Sequence, residues 1–139
     1  MKRFAGIGLL AVSLVVSLQG FTADASVAAA QAAAQAWVAL LDAGNYPQSW
    51  STAAKHLQGS IPESQWVTRI SGIRGQLGAV QSRSVASTEF VPAKPGAALG
   101  EHVVVRFATH FEHKADAKEI VTSVKDADGQ WRVDAYSIK

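Results

Sequence analysis

The stretch EHVVVRFATHFEH, residues 101–113, decides the fold. In an extended chain Val103, Val105, Phe107, Thr109 and Phe111 fall on one face. Val104, Arg106, Ala108, His110 and Glu112 fall on the other, which is the period of a β-strand. Downstream, Ile120, Thr122 and Val124 alternate through a further strand, and Trp131, Val133 and Ala135 through the last. Asp126-Ala127-Asp128-Gly129 between them has hairpin chemistry, with Gly129 free to take a positive φ. A four-residue loop over Lys114–Ala117 places Phe111 against Ile120, Thr109 against Thr122 and Phe107 against Val124. The second hairpin then sets Val124 against Trp131, Thr122 against Val133 and Ile120 against Ala135. Both hairpins bury the same face, and a slip of one residue would turn that face outward. Upstream, Val80 to Val91 reads as a serine-rich first strand. Val91 to Gly100, holding Pro92, Pro95 and Gly96, reads as a loop.

The half before the sheet follows a helical period. Ser26 is placed to cap a helix from Val27 to Ala43, rich in alanine and stopped by Gly44-Asn45. Ala30, Ala33, Ala34, Trp37 and Leu41 share one of its faces. A second helix is expected from Pro47 to Leu57, with Asn45 or Tyr46 as cap and Gly59 as terminator. Ser60-Ile61-Pro62-Glu63 matches a capping box for a third, from Ile61 to Arg74, carrying Trp66, Ile70 and Ile73. Helices first and a one-sided sheet second define an α+β domain: three N-terminal helices packed on a curved four-stranded antiparallel sheet.

Residues 1–25 read as an export signal. Lys2 and Arg3 precede an uncharged apolar run from Phe4 to Leu18, and Ala23-Asp24-Ala25 has the small-x-small form that a signal peptidase cuts. The run is short of the roughly 20 residues that span a bilayer. Cleavage after Ala25 leaves residues 26–139, 114 residues, as one domain of ample size for a core. It removes Lys2, Arg3 and Asp24, leaving eleven basic against ten acidic residues and a net charge of +1. Such a balance carries no footprint for nucleic acid or an anionic membrane. The chain has no cysteine, which excludes thiol catalysis, disulfides, cysteine metal sites and direct lipoprotein anchoring. The expected location is periplasmic or secreted.

Ala36-Trp37, Leu40-Leu41-Asp42-Ala43-Gly44, Tyr46 and Ser49-Trp50 follow one another in an order that matches a known pattern. So do Gln65-Trp66-Val67, Arg74 through Leu77-Gly78, Ser82-Arg83, and Gly129-Gln130-Trp131-Arg132-Val133 with Tyr136, Ile138 and Lys139. In this spacing they resemble the exported bacterial family catalogued as domain of unknown function 4019. The resemblance implies a cone of the nuclear-transport-factor-2-like, or cystatin-like, kind, with three helices against a bent antiparallel sheet. The family carries no established activity, so it implies no catalytic residue.

In such a cone Trp37, Leu41, Trp50, Trp66, Ile70, Phe107, Phe111 and Trp131 are the expected lining of an apolar pocket, together with Val124. Inward positions of the last three strands offer Thr109, Thr122 and Ser137, with His113 at the rim. None is an acid, so acid–base catalysis inside the cone is not expected. His110 and His113 point to opposite faces of a strand and do not chelate. The outer face is expected to carry a row of His110, Val121 and Asp134 and another of Glu112, Glu119 and Tyr136, screened by Lys118 or a cation. His56 and His102 have no visible partner. No nucleophile motif, phosphate loop or dinucleotide fingerprint is present. The reading is a non-catalytic binding domain for a protein or an apolar small molecule, with no cofactor or metal and with a homodimer as one form. The alternative is a small isomerase, hydratase or metal-assisted hydrolase. That enzyme would draw on His110, Glu112, Glu119, Asp134 and Tyr136, or on Asp42.

Overall fold

The computed structural model describes residues 18–139, with side chains from Ala23 onward, so most of the expected signal at 1–25 lies outside the described residues. The first helix, α1 (Leu18–Asp42), begins upstream of Ser26, which is therefore inside the helix and buried rather than its cap. Its alanines favour helix throughout. It ends where Gly44 takes a φ of 75°, and the amides of Gly44 and Asn45 turn back to the carbonyls of Leu41 and Leu40. None of the described helices is long and apolar enough to cross a membrane.

The helix expected from Pro47 to Leu57 is two short ones, α2 (Tyr46–Ser51) and α3 (Lys55–Ser60). The break at Ala54 has a tertiary cause. Ala53 and Ala54 are buried, and the Ala54 amide donates to the Val133 carbonyl at 2.8 Å instead of continuing a helix. The expected capping box does not form either. Ser60 belongs to α3 and donates to the His56 carbonyl, while α4 (Glu63–Leu77) starts after Pro62.

Four strands follow: β1 (Val80–Val91), β2 (His102–Phe111), β3 (Lys114–Lys125) and β4 (Trp131–Ile138). They form one open antiparallel sheet in the order β1-β2-β3-β4, so the meander and the α+β class stand as read from the sequence. Irregularities at Val80/Ser82, Val85/Ser87, Thr109/Phe111 and Thr122/Ser123 bend and twist the strands. The inner face of β2 is the expected one: Val103, Val105, Phe107, Thr109 and Phe111 are all buried.

The register of β3 differs from expectation. Phe111 pairs with Lys114, so Glu112-His113 is the whole turn and Lys114–Ala117 is strand. Phe107 meets Glu119 instead of Val124, a shift of five positions. An odd shift inverts the face. Ala117, Glu119, Val121 and Ser123 point into the core, while Ile120 and Thr122 are half-buried on the other side. The tight tip is tied down: the amides of Glu112 and His113 donate to the carbonyls of Ala79 and Leu77, in the link between α4 and β1. Gly78 fits there because its φ is 75° and a Cβ would lie 2.9 Å from Glu112 and His113 atoms. On β4, Ser123 opposes Val133 and Thr122 opposes Ala135, which leaves Asp134 unpaired in a bulge. Val121 then faces Tyr136, where the sequence placed Thr122 against Val133 and Ile120 against Ala135.

The core lies between α1, α4 and the inner sheet face. Ala30, Ala34, Trp37, Val38 and Leu41 from α1 meet Trp66 and Ile70 from α4 over Val103, Val105, Phe107, Val121 and Val133. The small residues of α1 let the helix settle close to the sheet. Ser123 exploits that approach, donating to the Ala30 carbonyl at 2.9 Å.

Candidate functional site

The inverted register puts a carboxylate in the interior. Glu119 is fully buried, contrary to the expectation that no inward position is acidic. Its Oε1 accepts from Arg83 Nε at 2.7 Å and from Thr109 Oγ1 at 2.5 Å. Its Oε2 accepts a short hydrogen bond from the Tyr136 hydroxyl and lies 3.7 Å from Arg74 Nη1. Asp42 completes the set, accepting from Arg74 Nη2 at 2.5 Å and from both terminal nitrogens of Arg83 at 2.6 and 2.9 Å. Thus α1, α4 and every strand each contribute one side chain.

Two arginines face two carboxylates, so the cluster is neutral. Arg74 is 4% exposed and Arg83 14%, which makes the pairing obligatory: an unpaired guanidinium in that position would lack both water and counterion. Each guanidinium also rests on an aromatic face, Arg74 at 4.9 Å from the Phe111 ring centre and Arg83 at 5.8 Å from that of Phe107. Burial opposes ionisation of Asp42, but Arg83 and Arg74 more than offset it and hold its carboxyl below the ordinary range. Burial likewise works against the Arg83 charge, and Asp42 and Glu119 outweigh it and raise its pKa. For Tyr136, burial comes first and the negative charge of Glu119 adds to it, pushing the phenol above its ordinary value.

The expected pocket residues are distributed unequally. Trp37, Leu41, Trp66, Ile70, Phe107 and Phe111 are buried. Trp37 packs on Trp66 and Tyr136 with ring centres 5.8 and 5.4 Å apart. The indoles of Trp37 and Trp66 both donate to Ser49, which fixes α2 against the core. Trp50 and Trp131 are half-buried at its margins, and Trp50 donates to the Ile61 carbonyl.

Open space lies outside this core, along α1. A groove of about 300 Å³ is lined by Ala33, Ala36, Trp37, Leu40, Thr52, Trp131, Arg132 and Val133. A second hollow of about 520 Å³ adjoins it, sharing Ala33 and Trp131 and adding Ala25, Ser26, Ala29, Lys125, Gly129 and Gln130. Trp37 and Trp131 are the expected pocket residues that reach it.

The remaining polar candidates resolve differently from the sequence reading. Asp134 does not share a row with His110. The bulge turns it toward α3, where His56 Nδ1 approaches both its oxygens at 3.0 Å. His56 therefore has a partner after all. Glu112 does not face Glu119, and Tyr136 points inward, so the expected outer acidic row does not exist. Among the described residues no three His, Cys, Asp or Glu side chains converge as a metal site.

These features define a small α+β domain with a closed, ion-paired interior and an open apolar groove beside its first helix. The chain belongs to the family described as protein of unknown function (DUF4019), whose model matches residues 33–136 and so includes every member of the buried cluster. It is also similar to a solved structure from Catenulispora acidiphila, with a TM-score of 0.52 and 13% identity, covering 86% of this chain and 94% of that one. At that identity the likeness is one of fold alone. No curated protein matches the chain.

Proposed function

We propose that this protein is an exported, non-catalytic binding domain whose ligand site is the groove between α1 and β4. Export rests on the basic start, apolar run and Ala23-Asp24-Ala25 of the first 25 residues. The observation that carries the binding reading is the contrast between the two apolar regions. Inside, the aromatic side chains fill the space, and Glu119, the acid an isomerase-like reaction would use, accepts hydrogen bonds on both oxygens from Arg83, Thr109 and Tyr136. An acid so held, with no contact with solvent, has no open side at which a substrate could meet it. Outside, Trp131 is half-buried over a floor of alanines, with space beside it on the scale of a small-molecule site.

The test is a titration with N-phenyl-1-naphthylamine, a neutral apolar fluorophore that accepts energy from tryptophan. Saturable transfer in the native protein, reduced but not abolished in Trp131→Phe because Trp37 also lines the groove, is the expected result. Absence of saturable binding would remove the groove as a site. For export, N-terminal sequencing of the protein recovered from outside the cytoplasm should begin at Ser26, and recovery of uncut chain would count against it.

A further inference from the structure

Three of the four indole N–H groups are satisfied internally, those of Trp37 and Trp66 by Ser49 and that of Trp50 by Ile61. Among the described residues, Trp131 Nε1 has no acceptor within the protein. Trp131 lies directly across the β3–β4 ladder from Lys125, so the two side chains share a face. Lys125 makes no ion pair among the described residues, and the Gln130 side-chain amide finds no protein acceptor there either. These donors surround one end of the groove.

Beyond them the groove is apolar. From Ser26 to Leu40 the axis of α1 rises about 20 Å, and no side chain between Asp24 and Asp42 is charged, while the α-amino group of a chain cut after Ala25 adds a positive charge at the Lys125 end. The opposite wall is Trp131 and Val133, beside Arg132, whose guanidinium is already held by Asp126 and Asp128 at 2.7 to 3.0 Å. The complement of this surface is therefore one anionic acceptor at the Lys125 end, followed by an uncharged chain of about 20 Å, the rise of the helix that floors it.

We propose that the groove binds a long-chain carboxylate, with its head at Lys125, Trp131 and Gln130 and its tail along Ala29, Ala33 and Ala36. This rests on the groove reading above and names its ligand. The charge of the head pairs with the lysine, and the indole and amide donate to its second oxygen. The tail replaces water over alanine and indole surface.

The experiment is a calorimetric and tryptophan-fluorescence titration of the exported protein, starting at Ser26, with hexadecanoate and, in parallel, hexadecanol. Hexadecanoate is expected to bind saturably, and Lys125→Gln to weaken it about tenfold, as loss of a hydrogen bond to a charged group does. Ala36→Glu, at an exposed position where folding tolerates it, is expected to abolish binding. Equal affinity for hexadecanol, with no effect of Lys125→Gln, would overturn the carboxylate while leaving the groove as a site. Failure of hexadecanoate while N-phenyl-1-naphthylamine still draws energy from Trp131 would do the same. Failure of both probes would overturn the groove itself.

Discussion

Arg83 donates its Nε to Glu119 at 2.7 Å in a place where Glu119 has no contact with solvent. Arg83 stands opposite Thr109 on β2, and both side chains meet the same oxygen of Glu119 from neighbouring strands. Glu119→Gln keeps the shape and removes the charge, leaving Arg74 and Arg83 with one carboxylate between them. The expected loss is about 3 kcal/mol or more, in the range for breaking a buried ion pair, read as a shift in the urea midpoint. The pair replacement Arg83→Met with Glu119→Leu should cost less than Glu119→Gln alone, because it removes charge from both sides.

Asp42 carries the acid sensitivity of this cluster. Its folded pKa is below the unfolded one, so its contribution is present above about pH 4, the unfolded value. That contribution falls as pH drops through the lower folded value. Asp42→Asn should therefore be less stable than the parent at neutral pH, and the two stability curves should converge below pH 4. Denaturant titrations across that range measure this, and parallel curves would refute the role.

Tyr136 gives the opposite limb. Its folded pKa is raised, by burial and then by Glu119, so its contribution is full below about pH 10, the unfolded value. That contribution declines as pH rises above it. Tyr136→Phe should flatten the alkaline loss of stability. Absorbance titration of the folded protein should show one of the two tyrosines, Tyr46 and Tyr136, failing to ionise until the protein unfolds.

The bond between His56 and Asp134 pins α3 to the sheet. The Asp134 side chain is 5% exposed and His56 is the partner of both its oxygens. His56→Ala is expected to destabilise by about 1–3 kcal/mol, the range for leaving a buried acceptor unmade. Adding Asp134→Ala should recover part of that loss, because the stranded carboxylate is then gone. A double-mutant cycle by chemical denaturation measures the difference.

The meander and the inner face of β2 were legible because one long alternation, Val103 to Phe111, admits only one buried side. The Asp126–Gly129 turn was legible from its residues, and Gly129 indeed has a φ of 81°. The face of β3 was not. Ile120, Thr122 and Val124 alternate as well as Ala117, Glu119, Val121 and Ser123 do, and hydrophobicity favours the first set. What favours the second is a charge balance supplied by Asp42, Arg74 and Arg83, none of them a sequence neighbour of Glu119. The helix break at Thr52–Ala54 was hidden for a similar reason, since the Val133 carbonyl that causes it lies on the last strand. The groove follows from these same long-range placements. Of the residues read as pocket from the sequence, Trp37 and Trp131 line it, because Leu41, Trp66, Ile70, Phe107 and Phe111 are consumed by the core and Trp50 is turned to the Ile61 carbonyl.

Everything turns on which side of β3 faces inward, and cross-strand proton contacts in a nuclear magnetic resonance spectrum measure that directly. Contacts of Phe107 with Glu119 and of Val105 with Val121, continuing to Tyr136 on β4, are expected. Contacts of Phe107 with Val124 and of Thr109 with Thr122 would place Glu119 in water and contradict its burial.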